Sequence, residues 1–169
     1  MPCLEKYSAL VSCLAAITPV ITAVIVAYIA YQQFKTNKQK LRLDLYNKRF
    51  NVYDKTLAFY AALHNANASF KNEDFMKVAN AFTPAFNESK FLFHPKHGVH
   101  QLLNEFHEAA IGIIGFNSDG KALADSGAHE EFSKLFQKNQ HELLVVMPKR
   151  IKQIEEAMAS YLNFHKVAA

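Results

Sequence analysis

The chain has 169 residues, half of them hydrophobic, with a formal net charge of +4, two cysteines and no tryptophan. The charge is uneven: residues 35–50 carry a net +5 and residues 51–169 a net −1. The basic balance therefore belongs to one flank and argues against a broad surface for long nucleic acid. Both cysteines, Cys3 and Cys13, fall before or within the first apolar run, which leaves no disulfide staple or cysteine zinc cluster for the remainder and suits a reducing compartment.

Residues 7–33 contain no Asp, Glu, Lys or Arg, and residues 10–29 alone supply the roughly 20 apolar positions that a membrane-crossing helix needs. Pro19 lies mid-run, where membrane helices tolerate it as a kink. Tyr7 at one end and Tyr28 and Tyr31 at the other suit interfacial anchors. A cleaved signal peptide has a shorter apolar run preceded by basic charge; here the run is longer and the basic charge follows it. Lys35, Lys38, Lys40, Arg42, Lys48 and Arg49 follow the span, whereas Lys6 before it is offset by Glu5. The positive-inside rule then puts the N-terminus outside and everything after residue 34 in the cytoplasm. The expected organisation is a tail and transmembrane helix over 1–34 and a cytoplasmic helical domain over 35–169. The 129 residues beyond Lys40 are enough for a small core.

The first helix is predicted to continue unbroken to about His64. Leu43, Tyr46, Phe50, Tyr53, Leu57, Tyr60 and His64 alternate three- and four-residue steps, a seam for a partner helix of the same chain or of a second subunit. Lys35, Lys38, Arg42 and Arg49 share one face and suit anionic headgroups, at about 1 kcal/mol for each residue near the surface. Alternatively, Arg42 and Arg49 line an anion site away from the membrane. Residues 65–69 read as a turn. Asn72, Glu73 and Asp74 start a short helix with Phe75, Val78, Ala79 and Phe82 inward, and Thr83-Pro84 ends it. Phe91, Leu92 and Phe93 are expected in the core, on an extended or short helical link.

Pro95 opens the next helix, whose stripe is Val99, Leu102, Leu103, Phe106, Ala110 and Ile113. Gly112 and Gly115 weaken its end, and residues 117–120 with Ser126-Gly127 mark a loop. Residues 129–146 form another amphipathic helix with Phe132, Leu135, Phe136, Leu143 and Val146 inward, and Pro148 breaks or restarts it. Ile151, Ile154, Met158, Tyr161 and Leu162 supply the last face. Strand-type alternation is scarce, so the predicted fold is all-α: one N-terminal transmembrane helix continuing into a small helical bundle.

The densest polar constellation is the run from His94 to His100, with His107 beyond. His97 and His100 could share a metal on one helix face, but no third ligand accompanies them, so neither metal nor cofactor is expected. Lys96 and His97 at a helix start make an anion-friendly corner, and Lys149, Arg150 and Lys152 make a second basic start. Phosphate loops, dinucleotide fingerprints and nucleophile elbows are missing, and carboxylates stand singly or as adjacent pairs that diverge on a helix. The chain reads as a non-enzyme.

The segments NKQKLRLDLYNKRFNVY at 37–53, ESKFLFH at 88–94 and ASYLNF at 159–164 resemble small single-span bacterial membrane proteins with a cytoplasmic helical domain. Proteins of that build include membrane effectors of antiphage defence associated with type III CRISPR systems. The histidine-rich run at 94–100 departs from that pattern. The resemblance implies a bacterial inner-membrane protein that binds a cyclic oligoadenylate at a subunit interface, oligomerises and perturbs the membrane. The candidate ligand-binding set is then Arg42, Arg49, Lys96, His97, His100, Lys149 and Arg150, with phosphates on the cations and adenines stacked on Tyr or His rings. Two further readings stand beside it. One is a non-catalytic adaptor or scaffold that docks a partner through the helical seam; the other, more distant, is a metal-dependent hydrolase using His97 and His100.

Overall fold

The computed structural model of the chain describes residues 2–65, 70 and 72–163, and it is helical with no strand among them. Helices α1 (Pro2–Asn65), α2 (Glu73–Leu92), α3 (Val99–Asp125), α4 (His129–His141) and α5 (Met147–Leu162) follow in order. A 3-10 turn occupies Pro95–His97 and a π-helical turn Glu142–Val146. Compactness divides the chain into Met1–Leu43 and Asp44–Ala169, with α1 contributing to both; the expected boundary after residue 34 rests instead on polarity. The turn expected at 65–69 lies, past Asn65, outside the described residues, as do the side chains of Cys3, Tyr7 and Cys13.

In the first unit every described side chain is exposed. Ile17, Val20, Ile25, Val26 and Ile29 are each about half exposed or more, and steps of 100° per residue spread them around the helix. In water this apolar surface is unfavourable at about 25 cal/mol per Å². α1 is long and apolar enough to cross a membrane. The helix continues through Pro19, and the Thr22 hydroxyl donates to the Thr18 carbonyl at 2.8 Å, so the hydroxyl is satisfied on its own backbone as a bilayer requires.

In the second unit α1 buries Val52, Thr56, Phe59 and Leu63. This corrects the expected seam by one residue: Tyr53, Leu57 and Tyr60 are half-buried, while Leu43, Phe50 and His64 are exposed. The two stripes have the same spacing and lie about 100° apart on the helix. The core takes the one with Phe59, whose ring stacks on Phe82 at 4.8 Å and meets Phe106 edge-on at 6.1 Å. The partner elements of the core stripe thus come from the same chain.

α2 starts as expected, with the Asn72 side chain accepting from the Asp74 N–H at 3.3 Å. It does not end at Thr83-Pro84 but runs to Leu92. Phe82 lies before Pro84 and Ala85 and Ser89 after it, all buried, so burial on both sides outweighs the lost N–H. Pro84 itself is exposed, and the Thr83 hydroxyl donates to the Ala79 carbonyl at 3.0 Å. Running the helix through Pro84 also splits the expected core trio. Phe91 is 85% exposed, Leu92 is half-buried, and only Phe93 is buried.

Pro95 opens the 3-10 turn rather than the long helix. The turn ends at Gly98, whose φ of 65° suits a residue without Cβ, and α3 starts at Val99. The α3 stripe is buried as expected, with Leu102 at its edge. The helix continues past Gly112, Gly115 and the expected loop at 117–120 as far as Asp125. Each glycine costs about 1 kcal/mol of helix propensity, less than the return from burying Ile113 and closing Gly120 on Phe116, where a Cβ would meet the ring at 3.0 Å. The turn at Ser126-Gly127 is present, with Gly127 at φ 78°.

α4 buries no residue fully. Leu135 and Phe136, expected inward, are 40% and 43% exposed, and the Phe132 and Phe136 rings of α4 meet Phe116 of α3 at 6.0 and 6.3 Å. The chain stays helical from α4 into α5. A π-helical turn precedes Pro148, and its wider winding relieves the clash of the proline ring with the Leu144 carbonyl. α5 then buries Met147, Ile154 and Met158.

Candidate functional site

Tyr161 on α5 is the meeting point of the candidate residues. Its hydroxyl accepts the His94 N–H at 3.0 Å, which leaves its O–H free to donate to His97 Nδ1. The Phe93 ring stands edge-on at 5.2 Å, and the Arg49 guanidinium carbon lies 4.6 Å from the ring centre. Arg49 Nε donates to the carbonyl of Leu92, the last residue of α2, so a cation satisfies the negative end of that helix. The His94 side chain is used locally, since its Nδ1 accepts the Lys96 N–H at 3.2 Å.

Of the seven candidate ligand-binding residues, Arg49 and His97 therefore share Tyr161, and Lys96 is exposed beside His97. The other four do not join them. Arg42 is exposed in the first unit. His100 stacks on Phe86 at 5.3 Å and bonds Ser89 through Nδ1 at 2.8 Å. Arg150 donates to the Glu105 carbonyl and lies 3.8 Å from Glu142. Lys149 is exposed on α5.

The Ser89–His100 pair has the spacing of a nucleophile and its base, but its surroundings disarm it. Ser89 is fully buried, and its hydroxyl donates to the Phe86 carbonyl at 2.6 Å. With that proton committed, His100 Nδ1 is the donor to Ser89 Oγ, the wrong tautomer for a base. Among the described residues no group of three or more His, Cys, Asp or Glu is placed to hold a metal.

The sequence reading missed Tyr161 as a hub and Ser89 as the partner of His100. Tyr161 carries one signal, a polar tip on an otherwise apolar α5 face, since a buried Tyr hydroxyl normally finds a partner.

A second feature is the outer stripe of α1. Tyr46 and Phe50 stack at 6.2 Å and Phe50 leans on Tyr53 at 6.4 Å. The three rings, with Glu155, Ala159 and Leu162 of α5, line an open groove of about 430 Å³. Phe50 is 45% exposed over this groove. Burial raises the Tyr53 hydroxyl above its ordinary pKa, and the nearby Glu155 carboxylate adds to the shift.

No protein family, curated protein or solved structure matches the chain.

Proposed function

We propose that this chain is a membrane-anchored helical adaptor. The apolar part of α1 lies in a bilayer, and the second unit docks an amphipathic helix of a partner protein on Tyr46, Phe50 and Tyr53. The observation that carries this reading is the pairing of two parallel stripes on α1. The core consumes Val52, Thr56, Phe59 and Leu63, and the neighbouring aromatic stripe keeps its spacing while staying half-exposed over a groove. The proposal assigns the chain no reaction. The basic flank supports a bacterial inner membrane with the N-terminus outside and the second unit in the cytoplasm, Lys35 and Lys38 meeting anionic headgroups.

A defence effector gated by a cyclic oligoadenylate draws less support. Arg49 and Arg150 are held by main-chain carbonyls, and only Lys96 and His97 of the set stand exposed beside each other. The test places a photoreactive phenylalanine analogue at Phe50 in native membranes. The expected product is a cross-link to an amphipathic helical segment of a different protein, abolished by Tyr53→Asp. A product of twice the mass of the chain identifies a second copy as the occupant, and no product removes the docking role. Heat on titrating the full-length protein with cyclic tetra-adenylate would restore the effector reading in its place.

A further inference from the structure

We propose that the crevice between α3 and α4 binds a single-chain amphiphile with a carboxylate head, the head on Lys138 and the chain over Ile113, Phe116 and Leu135. The inference stands apart from the docking role of α1 and uses different residues. The crevice encloses about 260 Å³ and has an apolar floor with a short polar rim of Lys138, Asn139 and Glu142. The rim is electrostatically one-sided. Glu142 has Arg150 at 3.8 Å to offset its charge, whereas Lys138 has no ion-pair partner among the described residues. A free cation beside an apolar floor matches an anionic head joined to a hydrocarbon chain.

Three features of the backbone and packing agree. Gly112 lines the crevice, and a Cβ there would meet nothing within 4 Å, so the space is open on the α3 side. α4 covers it incompletely, leaving Leu135 and Phe136 40% and 43% exposed. The π-helical turn begins at Glu142 on the rim, and such turns are frequent at functional sites. A second crevice of about 340 Å³ borders Ile113, Phe116 and Asn139 as well.

The test uses the full-length protein in zwitterionic nanodiscs with a diazirine-bearing decanoate, the labelled peptides being mapped by mass spectrometry. The expected result is saturable labelling of α3 and α4, displaced by decanoate at about tenfold lower concentration than by decanol, the difference a charge-assisted hydrogen bond supplies. Lys138→Gln should erase that difference. Gly112→Leu and, independently, Leu135→Trp should each fill the crevice and reduce labelling about tenfold with helicity retained; the second variant decides if the first fails to fold. Labelling confined to residues 15–33, equal displacement by the acid and the alcohol in the unmodified protein, or labelling untouched by a folded filling variant would each overturn the proposal.

Discussion

The Arg49 guanidinium lies 4.6 Å over the Tyr161 ring while its Nε reaches the end of α2. One side chain thereby ties α1, α2 and α5 of the second unit together. Arg49→Ala should destabilise that unit by about 1–3 kcal/mol, the range for a hydrogen bond to a charged group with a partly exposed cation–π contact. Arg49→Lys should recover less than half, because an ammonium cannot place one N–H on the carbonyl and a flat face on the ring. Urea midpoints measure both. An alanine variant as stable as the parent would show that the contact is incidental.

Phe82 and Phe91 stand nine positions apart on one helix and differ as much as two phenylalanines can. Phe82 is 1% exposed between Phe59 and Phe106, and Phe91 is 85% exposed. Phe82→Ala should cost about 3–5 kcal/mol and Phe91→Ala no more than about 0.5. Equilibrium unfolding of the two variants side by side checks the course of α2 through Pro84.

Removing that proline should itself help. Pro84→Ala supplies an N–H for the Asn80 carbonyl and relieves the ring clash within an unbroken helix. The gain is set against the greater freedom of the unfolded chain, worth about 1 kcal/mol at most, so a net stabilisation of about 1–2 kcal/mol is expected. A loss of stability would mean that the helix does not continue through this position.

Alkaline pH should weaken the fold through two tyrosines. Burial raises Tyr60 above the ordinary tyrosine value of about 10.0, and burial together with Glu155 does the same for Tyr53. The folded state then holds these protons more tightly than the unfolded state. Their contribution is complete below about pH 10 and is lost as the pH rises through the folded values. Tyr53→Phe and Tyr60→Phe should each flatten the fall in urea midpoint above pH 10, and Glu155→Gln should flatten it less. Unchanged profiles would show that neither hydroxyl is linked to folding.

Composition and periodicity made the helical class and much of the core legible, because Phe82, Phe106, Ile154 and Met158 lie in stripes whose spacing only a helix turns to one side. Three kinds of feature escaped. The α1 stripes are equally regular and one residue apart, and only the ring stack of Phe59 on Phe82 decides between them. Pro84, Gly112 and Gly115 read as ends because local propensity argues for stopping, yet the helices continue where buried residues on both sides outweigh that cost. The candidate basic residues were grouped by charge. Charge alone does not say whether an arginine meets a ligand or, like Arg49 and Arg150, a carbonyl of its own chain.

The wide turn before Pro148 also sets a phase. By lodging an additional residue in one revolution, it rotates everything downstream relative to α4, so that Met147, Ile154 and Met158 face the interior while Leu144 and Val145 stay at the surface. Excising a single residue between 142 and 146 would leave the composition almost untouched and swing the whole of α5 by a quarter-turn or more. Tyr161 would then be carried away from Arg49 and His97 without either of them being altered.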